Sequence, residues 1–99
     1  MEELKIAIME VSADKLAKAM REKANQAIHR ETEALIHNVL EIIEERANKG
    51  FMADNVRINA DRREQSMINA QEILRAMGYS VEGPTKWEYR GNHFWKISW

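Results

Sequence analysis

Residues 13–49 contain neither glycine nor proline, and this feature constrains the fold of the chain more than any other. Both residue types disfavour helix interiors, so their absence predicts one uninterrupted helix over residues 13–49. Ser12 is a candidate N-cap, while Lys49 and Gly50 provide the cation and the C′ glycine typical of a helix end. A helix of about 36 residues is about 54 Å long, whereas a globule of this chain length has a radius of gyration of about 13 Å. The helix therefore either breaks or projects from the body, and we favour projection with packing against another copy.

Apolar side chains recur along this helix at intervals of roughly 3.7 residues, which is close to an 11-residue repeat. That spacing predicts a straight or slightly right-handed pairing of helices and not a leucine zipper. We expect a homo-oligomer, specifically a dimer, built on this stripe. Its proposed interface residues are Leu16, Met20, Ile28, Leu35, Val39 and Ile42.

Shorter elements are expected on both sides of the long helix. Residues 4–11 are rich in apolar and β-branched types and form a possible strand, and residues 56–58 form a possible short edge strand. Asp61 and Glu64 have the spacing of a capping box, which predicts a second helix over residues 61–77. Gly78 then ends that helix.

The C-terminal segment is aromatic: six of the seven aromatic residues fall within residues 79–99. Turn signals in this segment predict an antiparallel β-meander, in which Gly91 and Asn92 form a two-residue hairpin loop and Trp87 faces Lys96. Alternation along the strands places aromatic side chains on both faces of the meander. One face carries Trp87, Tyr89 and Phe94, and the other carries Trp95, Ile97 and Trp99. One face should cover the second helix, while the other remains for solvent or an interface.

Together these elements predict a single domain over residues 1–99 of the α+β class. It has a long N-terminal helix, a second shorter helix and a small antiparallel C-terminal sheet. The net charge of −1 gives no strong electrostatic preference for nucleic acid or acidic lipid. The absence of cysteine excludes disulfides and thiolate catalysis. No apolar run approaches the roughly 20 residues of a membrane span, and the first residues lack a secretion signal, so we expect a cytoplasmic protein without membrane partners.

Motifs that carry catalysis are missing from the sequence. It has no glycine-rich phosphate loop, no His-Glu-x-x-His motif and no nucleophile elbow, so we expect no enzymatic activity. His29, Glu33 and His37 share one helix face, but the two histidines are about 12 Å apart along the axis, too far to bind one metal ion. We therefore expect neither a metal nor a cofactor.

Two short segments carry a family resemblance. Residues 78–81 read Gly-Tyr-Ser-Val after a helix, and residues 97–99 read Ile-Ser-Trp at the end of the chain. This pattern resembles one in small, uncharacterised bacteriophage proteins, in which a long charged helix precedes a short helix and the same terminal sequence. The resemblance implies a phage origin, a location in the host cytoplasm and this order of elements, but it implies no site residues.

The leading hypothesis is a non-enzymatic accessory protein of phage type, and a counter-defence inhibitor is one role that this type suggests. It would bind a host protein or a small signalling ligand through its aromatic C-terminal surface. Trp87, Tyr89 and Phe94 are the candidate contacts, with Arg90 at their rim, because tryptophan, tyrosine and arginine dominate interface energetics. Two alternatives remain open. One is a nucleic-acid-binding protein resembling a winged helix, and the other is a structural protein that assembles through its long helix.

Overall fold

The computed structural model describes residues 16–59, 61–86 and 93–99. Its elements follow the order α1 (Ala17–Asn48), β1 (Ala53–Ile58), α2 (Glu64–Ala76), β2 (Ser80–Glu82) and β3 (His93–Ser98). The predicted α+β fold is confirmed: a long helix and a shorter helix accompany a three-stranded antiparallel sheet. The possible strand at residues 4–11 and the candidate cap Ser12 lie outside the described residues. Helix α1 has Leu16 as its N-cap, without a side-chain cap.

Both helices end at the glycines that the sequence indicates. The Gly50 amide donates to the Ala47 carbonyl (2.9 Å) and the Phe51 amide to the Arg46 carbonyl (3.1 Å), which is a Schellman motif. The same pair of bonds recurs at Gly78, where the Tyr79 amide reaches back to the Leu74 carbonyl (3.1 Å). These glycines have φ angles of 89° and 102° respectively, in the left-handed region that residues with a Cβ rarely adopt.

The predicted capping box at the start of α2 is wrong. The N-cap of α2 is Arg63, and no side chain of the helix's own first turn caps it. Asp61 lies in the preceding turn, where its amide donates to the Asn59 side chain (3.2 Å). The sequence pattern failed here because another helix supplies the capping group, as described below.

Strand β3 lies at the centre of the sheet, in the order β1-β3-β2. Strand β1 contains the predicted residues 56–58 and is an edge strand, although it is longer than predicted. Lys96 lies opposite Asn55 on one side and Glu82 on the other, so the predicted pairing of Lys96 with Trp87 is wrong. The prediction favoured a local hairpin, but the long-range pairing of β1 with β3 occupies that edge. The predicted loop at Gly91 and Asn92 lies outside the described residues.

The core lies between the inner face of the sheet and the two helices. Trp95 and Ile97 of β3 are both 0% exposed, as the alternation in the sequence predicts. The indole Nε1 of Trp95 donates to the Pro84 carbonyl (2.9 Å), which satisfies its only polar atom. The backbone passes so close to the ring at Gly83 that an added Cβ would collide with the Trp95 side chain. The other buried apolar residues are Leu35, Val39, Ile43, Val56, Ile58, Met67, Ala70, Leu74 and Val81.

Polar contacts join α2 to the strand that follows it. The Arg75 guanidinium donates to the Val81 carbonyl (2.8 Å) and to the side-chain oxygen of Gln71 (3.1 Å). Gln71 is itself buried, and its amide nitrogen donates to the Gly83 carbonyl (3.1 Å). These bonds fix β2 and the start of the next segment against α2, and so position the sheet on the helices.

Helix α1 is continuous over 32 residues, but only its C-terminal part contributes to the core. Its buried residues are Thr32, Leu35, Val39 and Ile43, and none of residues 17–31 is buried. We call residues 17–31 the helical arm. The arm contributes to a radius of gyration of 19.2 Å, compared with about 13 Å for a compact chain of this length. In the described part of the chain, no helix has both the length and the apolar character needed to cross a membrane.

Candidate interaction surfaces

The predicted apolar stripe of α1 divides into two groups at Thr32. Leu35 and Val39 are 2% and 1% exposed and pack inside the chain's own core, so their burial requires no second copy. Ile42 is partly buried against that core. Leu16 and Val39 are separated by about 140° around the axis at 3.6 residues per turn, so they cannot share one narrow seam. The stripe proposed from spacing therefore includes residues that the chain's own fold uses.

The arm group of the stripe remains accessible to solvent. Leu16 is 46% exposed and Met20 is 41% exposed, while Ile28 is partly buried at the base of the arm. Large apolar side chains that remain exposed on a long helix favour contact with another surface, because covering them removes apolar area from water. Leu16 and Met20 are therefore the predicted interface residues that can still contact a partner.

Glu31 connects the base of the arm to the start of α2. Its carboxylate accepts hydrogen bonds from the Arg63 backbone amide (2.6 Å) and from the Arg63 guanidinium (2.6 Å). The Ser66 hydroxyl, which is fully buried, also donates to the Ile28 carbonyl one turn earlier (3.4 Å). Glu31 thus caps α2 from another helix and links the base of the arm to the start of α2.

The surroundings of Glu31 favour its charged form. Burial raises the pKa of this carboxyl, but the hydrogen bond from the Arg63 amide lowers it, as do the nearby Ser66 hydroxyl and the charges of Arg63 and Arg62. The lowering contributions dominate, so the pKa of Glu31 lies below its usual range. A group with a lowered folded-state pKa stabilises the fold above its unfolded pKa and loses this contribution as the pH falls through the folded value.

We expect Glu31→Gln to lower the free energy of unfolding by about 1 kcal/mol at pH 7, the usual value of a helix cap. This difference from wild type should be complete above the ordinary pKa range of a glutamate and should be lost as the pH falls through the lowered pKa of Glu31, where the folded wild-type carboxylate becomes protonated. Urea unfolding followed by circular dichroism at several pH values measures it. Glu33→Gln is the matched control, since the Glu33 side chain is 66% exposed and pairs only with His29. An equal loss in both variants would contradict the capping role.

A groove of about 700 Å³ lies between the arm and α2. Its lining includes the apolar side chains of Ile28 and Ile73 and several side-chain amides. Its lining is completed by Asn25, His29, Thr32, Gln65, Asn69 and Glu72. A smaller depression of about 380 Å³ adjoins it on the arm and shares Asn25 and His29. Both are open at the surface, so they are suited to accommodating side chains of a partner.

The outer face of the sheet presents Phe94, which is 55% exposed. Arg57 of β1 lies directly opposite it on the neighbouring strand, and Lys96 follows on the same face of β3. Phe94 therefore points away from the core, as the alternation predicts. The other predicted contact residues, Trp87, Tyr89 and Arg90, lie outside the described residues.

The histidines of α1 make separate local pairs. His29 lies 3.0 Å from Glu33, and His37 lies 3.1 Å from Glu41, all on the exposed side of the helix. Across residues 16–59, 61–86 and 93–99, no cluster of three or more potential ligands is arranged to hold a metal ion. These pairs fit a solvated helix face.

Sequence reasoning missed the role of Glu31. In the sequence, Glu31 interrupts an otherwise apolar stripe with a charged residue, and this interruption is the feature that could have indicated its role. The interruption marks the point where α1 passes from the arm to the core. No protein-family model, curated protein or solved structure matches the chain.

Proposed function

We propose that this chain is a non-enzymatic assembly protein that forms a homodimer through its helical arm. The observation that carries the proposal is that α1 is continuous although none of residues 17–31 is buried. Isolated helices of about 15 residues are marginal in water, because most helical stability in proteins comes from packing of an apolar face. A second copy provides that packing and covers Leu16 and Met20. Dimer formation should also stabilise the chain because it is short, and short chains bury a smaller fraction of their surface on folding.

We expect the wild-type chain to have twice its monomer mass at tens of micromolar, measured by size-exclusion chromatography with light scattering. Met20→Asp should shift it to the monomer, because it removes exposed apolar area that the contact would cover and adds negative charge to a basic arm. Met52→Asp is the matched control, since Met52 is 76% exposed and precedes β1, away from the arm. Circular dichroism confirms that both variants fold. A monomeric wild-type chain at this concentration would refute the proposal.

The outer face of the sheet favours a second candidate function, which is binding of a different protein. Phe94 is the observation behind it, because an exposed phenylalanine on the central strand, beside Arg57, has the composition of an interface centre. The resemblance to small phage proteins suggests the partner of this face, which would be a host protein or a small signalling ligand. Counter-defence would then be the role of the binding. The two proposals are compatible, because the arm and the sheet face are different surfaces of the chain.

Nucleic-acid binding stays an untested alternative. Arg57 and Lys96 flank Phe94 and provide two cations beside an aromatic ring, which is the composition of a stacking platform. Glu82 lies directly beside Lys96 and reduces that local charge. The described residues also contain two helices, whereas the predicted winged-helix arrangement needs a core of three. We therefore place protein binding ahead of nucleic acid for this face.

A further inference from the structure

We propose that two copies pair their α1 helices antiparallel, so that the basic arm of each lies along the acidic outer face of the other's α1. The inference depends on the proposed homodimer and adds its orientation and register. The partner that covers the exposed arm is then a second copy of this chain.

The charge of α1 is segregated along its length. The arm carries four cations, Lys18, Arg21, Lys23 and Arg30, against the two carboxylates Glu22 and Glu31. Residues 32–48 carry one cation, Arg46, against the four carboxylates Glu33, Glu41, Glu44 and Glu45. Among the described residues, none of the four arm cations forms an ion pair. A parallel pair would place basic arm against basic arm, whereas an antiparallel pair places each arm beside carboxylates.

The same segregation opposes the dipole of α1 itself. The first turn of α1 contains no acidic residue, and Lys18 lies there, close to the positive end of the helix. Glu44 and Glu45 lie close to the negative end. In one chain alone the placement of Lys18 is unfavourable, whereas Arg46 in the last turn and the ion pair of Glu45 with Lys49 partly offset the glutamates. In an antiparallel pair, the basic N-terminal end of each helix lies beside the C-terminal end of its partner, where the carboxylates and the negative end of the dipole both attract cations.

An accessible face runs along the whole helix and suits this pairing. It contains Met20, Ala24, Ala27, Glu31, Ala34, Asn38, Glu41 and Glu45, which recur at intervals of four and three residues. Residues at these intervals lie on one side of a helix. The Glu31 carboxylate on this side is already bonded to Arg63, so the alanines, Met20 and the distal carboxylates are the residues that face a partner. None of these residues is buried by the chain's own core, and the alanines at the centre allow the two backbones to approach closely. Matching each arm to the opposing carboxylates places Met20 beside Glu41 and Ala27 beside Ala34 of the other copy.

Disulfide trapping tests the orientation, because the chain has no cysteine of its own. Ala27→Cys and Ala34→Cys proteins are purified separately, mixed under mild oxidation and compared with each protein alone on a non-reducing gel. We expect the mixture to form a disulfide-linked dimer at least about tenfold faster than either protein alone. In the antiparallel pair, two Ala27 positions are about 10 Å apart along the axis, beyond the roughly 7 Å limit for Cα atoms in a disulfide. Ala76→Cys, on the exposed end of α2, gives the background rate of collision.

Each outcome decides the question. Faster linkage in each single protein than in the mixture would overturn the antiparallel orientation while leaving the homodimer intact. Linkage at the background rate in every combination, together with a dimer mass by light scattering, would overturn this face as the contact. A monomer mass for the wild-type chain would instead overturn the proposed function on which the inference depends. Circular dichroism of both cysteine variants confirms that loss of linkage does not come from unfolding.

Discussion

Trp95→Ala is expected to lower the free energy of unfolding by about 3–5 kcal/mol, the usual cost of removing a buried tryptophan. Trp95 is the largest fully buried side chain among the described residues. It lies on β3, the central strand of the sheet. Its removal leaves a cavity that the surrounding residues can only partly fill. The Pro84 carbonyl also loses the hydrogen bond that the indole of Trp95 donates to it. Since domains of this size are stable by about 5–15 kcal/mol in total, this one change removes a large fraction of the stability.

Urea unfolding followed by the helical circular dichroism signal measures this effect without relying on tryptophan fluorescence. Trp95→Phe is a second variant for the case in which the alanine protein does not fold. It should lose about 1–3 kcal/mol, because it removes the hydrogen bond and part of the ring. Phe94→Ala is the matched control, being the preceding residue on the opposite face and 55% exposed. It should cost less than about 1 kcal/mol. A similar loss at both positions would contradict the division of β3 into an inner and an outer face.

Leu35→Ala is expected to lower the free energy of unfolding by about 2–5 kcal/mol. Leu35 is 2% exposed and packs in the core formed with β1, α2 and β3, so alanine leaves a cavity inside the monomer. Both leucines of the predicted stripe have the same side chain; Leu35 lies within α1, and Leu16 is its N-cap. The position relative to the core is therefore the main difference between Leu35 and Leu16.

Leu16→Ala provides that comparison. Leu16 is 46% exposed at the start of α1, so its loss should change the stability of the monomer by less than about 0.5 kcal/mol. The two variants are unfolded in urea at a protein concentration low enough for the chain to be monomeric, so that dimer formation does not contribute. If Leu16→Ala were as costly as Leu35→Ala under these conditions, the arm would have to pack against the chain's own body.

Where sequence prediction succeeded, local chemistry was sufficient. Gly50 and Gly78 end the helices because the last turn of a helix needs a residue that tolerates positive φ, and this requirement does not depend on the rest of the fold. The alternation that turns Trp95 inward and Phe94 outward is likewise a local property of an extended chain.

Where prediction failed, a distant residue decided the outcome. The cap of α2 comes from Glu31, which lies 32 residues earlier in the sequence than Arg63. The partners of Lys96 come from two strands that are separated from β3 along the chain. In both cases the local sequence pattern fits a nearer partner equally well. Only the free energy of the whole packed structure distinguishes the nearer partner from the distant one.

Local patterns were sufficient to predict a long helix, the ends of both helices, and an inner and an outer face on the terminal strand. These are consequences of backbone preferences and of side-chain periodicity. Which apolar residues of the long helix are available to a partner depends instead on tertiary packing. Leu16, Met20, Leu35 and Val39 all match one helical spacing, but the body of the protein covers only the last two. Burial depends on what packs against each turn of a helix, and no periodicity within the helix contains that information.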